Sequence, residues 1–134
     1  MKNKKVESPK IMLVDDDEMS LESLYSFLTS EGYDVDAFQN PKKALECISN
    51  HQYELILTDY SMPQMTGIQL IKSIRKTRPE IFTILFSGFF TEALKKELYI
   101  ESNIDKCITK PVRIHELLPL INEIIKTSSG GKNE

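Results

Sequence analysis

The sequence predicts an α/β fold, a parallel sheet with helices on both faces. Three observations carry that expectation. Short apolar runs, each the length of a buried strand, alternate about five times with stretches of helical periodicity. The connections between them are short, so each strand–helix–strand unit crosses over to a parallel neighbour. Several runs also stop abruptly on a polar residue (Asp15, Asp59, Ser87), as strands do where a parallel sheet opens onto a ligand crevice. At 134 residues and 40% hydrophobic content, the chain is the size of one domain and can bury its own core.

Residues 1–9 are polar and read as a flexible arm. Ile11, Met12, Leu13 and Val14 form the first strand, which halts at Asp15-Asp16-Asp17-Glu18. From Met19 to Glu31, Leu21, Leu24, Tyr25 and Leu28 recur at amphipathic-helix spacing, and Gly32 supplies the stop. Tyr33 to Phe38 is the second strand. Asn40 caps a helix that Pro41 opens, with Ala44, Leu45 and Ile48 inward. Leu55 to Asp59 is the third strand, apolar until it meets a carboxylate. Thr66-Gly67 begins a helix burying Gly67, Leu70, Ile71 and Ile74, with Lys72, Arg75 and Lys76 off that face, and Pro79 ends it. Ile81 to Phe86 is the fourth strand. Phe90 or Thr91 starts a helix with Ala93, Leu94 and Leu98 inward.

Lys106 to Thr109 is a short fifth strand ending at Lys110-Pro111. Leu117, Leu120, Ile121, Ile124 and Ile125 stripe the last helix. Pro119 interrupts that stripe, so the helix starts near residues 115–117 or is kinked at the proline. Residues 128–134 are Ser/Gly-rich and polar, a flexible tail or the start of a linker, which leaves 10–127 as one domain.

Composition narrows the function. Seventeen basic against twenty acidic residues, net −3, argue against a nucleic-acid partner held by bulk electrostatics. Cys47 and Cys107 lie far apart in no metal-like spacing and read as reduced thiols. No apolar run approaches the roughly 18 residues of a membrane helix, and the basic N-terminus is followed by no apolar signal segment. The expectation is a cytoplasmic protein without membrane insertion. His51 and His115 fall at no strand end and are expected at the surface.

The polar residues past the apolar runs are Asp15, Asp16, Asp59, Ser87 and Lys110. In a parallel sheet these ends share one edge and converge. Clustered carboxylates repel, and a hard divalent cation such as Mg2+ relieves this while coordinating phosphate oxygens. Lysine supplies a compact charge for a phosphate, serine a hydroxyl donor, and a carboxylate can itself become an acyl phosphate.

The pieces IMLVDDDE, LILTDYSMPQMTG, ILFSG and ITKP occur in this order across roughly residues 10–127. Together they resemble the response-regulator receiver domain of two-component signalling. The resemblance implies a flavodoxin-like doubly wound sheet of order 2-1-3-4-5. It implies that Asp59 accepts a phosphoryl group from a histidine kinase or a histidine phosphotransfer protein. Asp15 and Asp16, with Asp59 and the backbone carbonyl of Ser61, would bind Mg2+. Lys110 would contact the phosphoryl group, Ser87 would hydrogen-bond it, and the Lys110-Pro111 peptide would be cis. A downstream protein target would then read a changed surface, with dimerisation on activation left open.

Some positions depart from that pattern. Cys107 stands where a Tyr or Phe usually does, Val112 follows the Lys-Pro pair in place of Phe, and Phe89 and Phe90 follow Ser87-Gly88. Phe89 and Phe90 either form a partner surface moved by the Ser87 loop, or one of them simply packs into the core. Two other functions compete. A receiver-like module could bind partners without phosphorylation, as Cys107 invites. A Mg-dependent haloacid-dehalogenase-type phosphatase would share the Asp nucleophile, but its Asp-x-Asp-x-Thr/Val pattern fails at Met19.

Overall fold

The computed structural model describes the backbone of residues 10–133 and the side chains of residues 10–124, so the arm expected over 1–9 lies outside the described residues. Five strands, β1 (Lys10–Val14), β2 (Asp34–Phe38), β3 (Leu55–Asp59), β4 (Phe82–Ser87) and β5 (Lys106–Thr109), pair in parallel in the order β2-β1-β3-β4-β5. Parallel neighbours need crossovers, supplied by α1 (Glu18–Ser30), α2 (Pro41–Cys47), α3 (Gly67–Arg75) and α4 (Glu92–Lys96), and α5 (Ile114–Asn133) follows the last strand.

Short polar side chains set the helix starts. Asp17, Asn40, Thr66 and Thr91 each accept a backbone N–H of the first turn, and Thr66 with Gln69 completes a reciprocal capping box. Strand alternation divides the core into two layers. Met12, Val14, Ile56 and Leu85 face the side packed by Ala44 of α2 and by Ile71 and Ile74 of α3. Ile11, Leu13, Leu55, Leu57, Ile84 and Phe86 face Leu24 and Leu28 of α1 and Leu117 and Ile121 of α5. β3, at the centre, is buried along its whole length. Each such Leu or Ile contributes about 1.5–3 kcal/mol.

Four expectations shift. In α1 only Leu24 and Leu28 are buried, and Tyr25 is exposed beside them. α4 widens after five residues into a π-helical turn, Glu97–Glu101. Leu98 is fully buried and Leu94 half-buried there, whereas Ala93 is exposed. The two leucines, four residues apart, have more apolar surface to bury than one methyl, so they decide the inward face. α5 begins at Ile114, which puts Pro119 in its second turn with the proline exposed. The backbone then stays helical through Asn133, over most of the segment expected as a tail. No proline interrupts that segment, and propagating an established helix gains one hydrogen bond per residue fixed.

Candidate functional site

Strand register assembles the site. Val14 lies opposite Thr58, which sets Asp15 beside Asp59 at the next step. Asp59 lies opposite Phe86, so Ser87 stands one residue beyond it. Ser87 lies opposite Thr109, which delivers Lys110 to the same edge. Two backbone hydrogen bonds lock these ends together: Tyr60 N–H donates to the Phe86 carbonyl at 2.8 Å, and Lys110 N–H to the Ser87 carbonyl at 2.8 Å. The Lys110-Pro111 peptide is cis.

The carboxylates of Asp15, Asp16 and Asp59 each offer an oxygen within 4.8 Å of the others. Asp15 and Asp59 are buried, at 3% and 7% exposure, so water screens their repulsion poorly. The Lys110 ammonium answers them, 3.1 Å from Asp59 Oδ2 and 3.7 Å from Asp15 Oδ2. It is the one cation paired with this cluster among the described residues. Burial raises the Asp15 carboxyl above the ordinary range, and the nearby Asp59 and Asp16 charges add to that. The Asp17 N–H and Lys110 oppose the rise without cancelling it. For Lys110, burial alone would lower the ammonium pKa, but Asp15 and Asp59 outweigh it and hold the group above the usual lysine range. Three carboxylates against one lysine leave an excess of negative charge, and hard oxygen donors in that number suit a divalent cation such as Mg2+.

The remaining candidates surround this cluster. Ser87 is buried, and its hydroxyl donates to the Phe89 carbonyl at 2.8 Å. Ser61 is exposed in the loop after Asp59. Asp17 points elsewhere, accepting the Ser20 N–H at 2.9 Å as the cap of α1. Phe90 packs against the core while Phe89 stays 70% exposed. His51 and His115 are exposed, as expected. Cys107 is half-buried against the core, and burial raises its thiol pKa, with Tyr99 acting against the rise. Tyr99, carried by the π-helical turn, is itself pushed up to about 12 by burial and by Cys107.

Two supporting residues had no strong signal in the sequence. A Cβ on Gly67 would lie 2.4 Å from the Asp59 carbonyl oxygen and 2.9 Å from Leu85 Cδ1. This glycine therefore permits α3 to start directly against the end of β3. The helical spacing put it on the buried face of α3 but did not show the close approach to Asp59. Tyr99 was hidden because its contact with Cys107 joins two separate elements, the π-helical turn and β5.

Comparison with known proteins identifies the family and the fold. Residues 11–122 match the family described as the response regulator receiver domain. The transcriptional regulatory protein CpxR homolog of Haemophilus influenzae is 34% identical over 92% of the chain, which spans 53% of that relative. The chain covers a similar half of several other curated relatives. The response regulator receiver protein CpdR of Brucella abortus is 31% identical over 87% of the chain and 94% of its own length. A CheY-like receiver domain protein from Methanospirillum hungatei superposes with a TM-score of 0.85 at 29% identity, covering 93% of this chain and 99% of that one. The chain therefore belongs to the response regulator receiver family, the regulatory domains of two-component signalling, and folds as its CheY-like members do.

Proposed function

We propose that Asp59 is the phosphoacceptor of this receiver. The observation that carries the reading is its placement: a buried carboxylate at the end of the central strand, 3.1 Å from Lys110 and grouped with Asp15 and Asp16. A histidine kinase or histidine phosphotransfer protein would present a phosphohistidine. An Asp59 carboxylate oxygen attacks its phosphorus, the new O–P bond forms, and the P–N bond breaks. The imidazole nitrogen keeps the electron pair and takes a proton from solvent. Lys110 balances charge on the transferred oxygens. Ser87 exchanges its hydrogen bond to the Phe89 carbonyl for one to the phosphoryl group. Asp15, Asp16, Asp59 and the Ser61 carbonyl would hold Mg2+, which supplies the further positive charge that phosphoryl transfer needs.

The phosphorylated site then shifts the balance between two states of the loop after β4, and a downstream protein reads the changed surface. No separate substrate is turned over, and the chain works in the cytoplasm. Among the described residues no helix is long and apolar enough to cross a membrane. The test is phosphorylation with acetyl phosphate, with and without Mg2+, in the wild type and in Asp59→Asn. The wild type should gain one phosphoryl group only with Mg2+, and Asp59→Asn none. Equal uptake by Asp59→Asn would sink the assignment.

A further inference from the structure

The open edge of the sheet carries a second feature. β2 is an edge strand, paired among the described residues on one side only, with β1. The Asp15 N–H bonds to the Phe38 carbonyl, so Phe38 turns its backbone groups toward β1. Strand alternation then turns those of Asp36 the same way, and those of Val35 and Ala37 outward. Two N–H donors and two carbonyl acceptors thus face away from the sheet, spaced to pair with another strand.

This edge does not lie on a flat surface. A groove of about 590 Å³ follows it, with Leu21 and Tyr25 of α1 forming one wall. Tyr25 is 40% exposed, an aromatic face with no core to cover it. Glu18, Glu22 and Asp36 line the groove together with His51, and among the described residues no lysine or arginine does. Asp36 is already engaged, accepting the Tyr53 hydroxyl at 2.5 Å with Lys10 3.4 Å away. Glu18 and Glu22 have no ion pair among the described residues. None of Asp15, Asp16, Asp59 and Lys110 lines this groove.

We infer that the β2 edge is a docking groove for an extended, basic peptide segment of a partner protein, added to the sheet as a sixth strand. The backbone of Val35 and Ala37 would supply affinity, and alternate Lys or Arg side chains reaching Glu18 and Glu22 would supply selectivity. A second copy of this chain fits poorly, because edge-to-edge pairing would bring the acidic rims together.

The test uses the full-length chain, isotope-labelled for amide NMR. The probe is an end-blocked peptide of alternating lysine and valine, with two controls: its glutamate-for-lysine version and a copy N-methylated at alternate amides. The lysine peptide should shift the Val35 and Ala37 amides, and both controls should bind about tenfold more weakly or not at all. Glu22→Lys should weaken the lysine peptide about tenfold. Ala37→Pro, which removes one outward donor at a site where an edge strand tolerates proline, should do the same while the amide spectrum elsewhere stays folded. The inference fails if the three peptides bind alike, or if the lysine peptide leaves Val35 and Ala37 unmoved. It also fails if the free chain already shows contacts from residues 1–9 to Val35, or if the shifts depend on protein concentration alone. Those last results would give the edge to the chain's own arm or to a second copy.

Discussion

Two charged clusters occupy opposite ends of the same sheet, and they are built on opposite terms. At the end where β4 and β5 begin, Arg75 meets Asp105 at 3.2 Å, one cation against one anion. The terminal nitrogens of its guanidinium also donate to the carbonyls of Ser102, Asn103 and Ile81 and to Thr83 Oγ1. Asp105 in turn accepts the N–H and hydroxyl of Thr83. At the other end, Asp15, Asp16 and Asp59 share Lys110. The first cluster is matched in charge within the protein itself, although Arg75 Nε and Ser102 Oγ are buried there without a hydrogen-bond partner among the described residues. The second is left anionic, and its burial makes that imbalance costly. The difference separates charges matched within the fold from a cluster that carries an excess of one sign.

The largest effect should come from the unbalanced end. Asp59→Asn should reduce phosphoryl uptake to background in a mass-spectrometric assay while leaving the far-UV spectrum unchanged. The balanced end should behave in the reverse way. Arg75→Ala removes the cation paired with Asp105 and the donor to three carbonyls, and should cost about 3 kcal/mol in urea denaturation. Any folded fraction should still take up phosphate.

Gly67→Ala should show both effects at once. Its methyl would press on the Asp59 carbonyl and Leu85, so stability should fall by about 2 kcal/mol and the phosphorylation rate should fall with it. A rate that held while stability fell would separate the packing of α3 from the geometry of Asp59.

The smallest effect is the most diagnostic in sign. Asp16 belongs to the acidic group and has no ion pair among the described residues. In metal-free buffer, Asp16→Asn should therefore raise stability by about 0.5 kcal/mol by relieving repulsion. Added Mg2+ should raise the unfolding temperature of the wild type and do so less in the mutant. Destabilisation without metal would mean the cluster is balanced after all.

Much of this was legible in the residues. The apolar runs of β1, β3 and β4 are each buried as their composition demands, and each ends where a polar residue appears. Asp15, Asp59, Ser87 and Lys110 converge because parallel strands share an edge, so the strand ends alone foretold that these side chains gather there. What stayed hidden depends on contacts between distant residues. Arg75 read as a residue off the buried face of α3, because nothing local reveals that Thr83 and Asp105 will surround it. Ala93 read as inward because a period of 3.6 residues says nothing about which neighbours compete for the core. The open edge of β2 follows from strand order, and the groove along it from the placement of α1, which no single segment encodes.

The charge imbalance matters only if it serves chemistry at Asp59. The direct measurement is to phosphorylate the chain with acetyl phosphate and Mg2+, reduce the acyl phosphate with borohydride, and map the product. Reduction converts an aspartyl phosphate to homoserine, which marks the acceptor. Homoserine is expected at position 59 alone, and only when Mg2+ was present. Homoserine at Asp15 or Asp16, or the same yield at Asp59 in the presence of a chelator, would contradict that expectation.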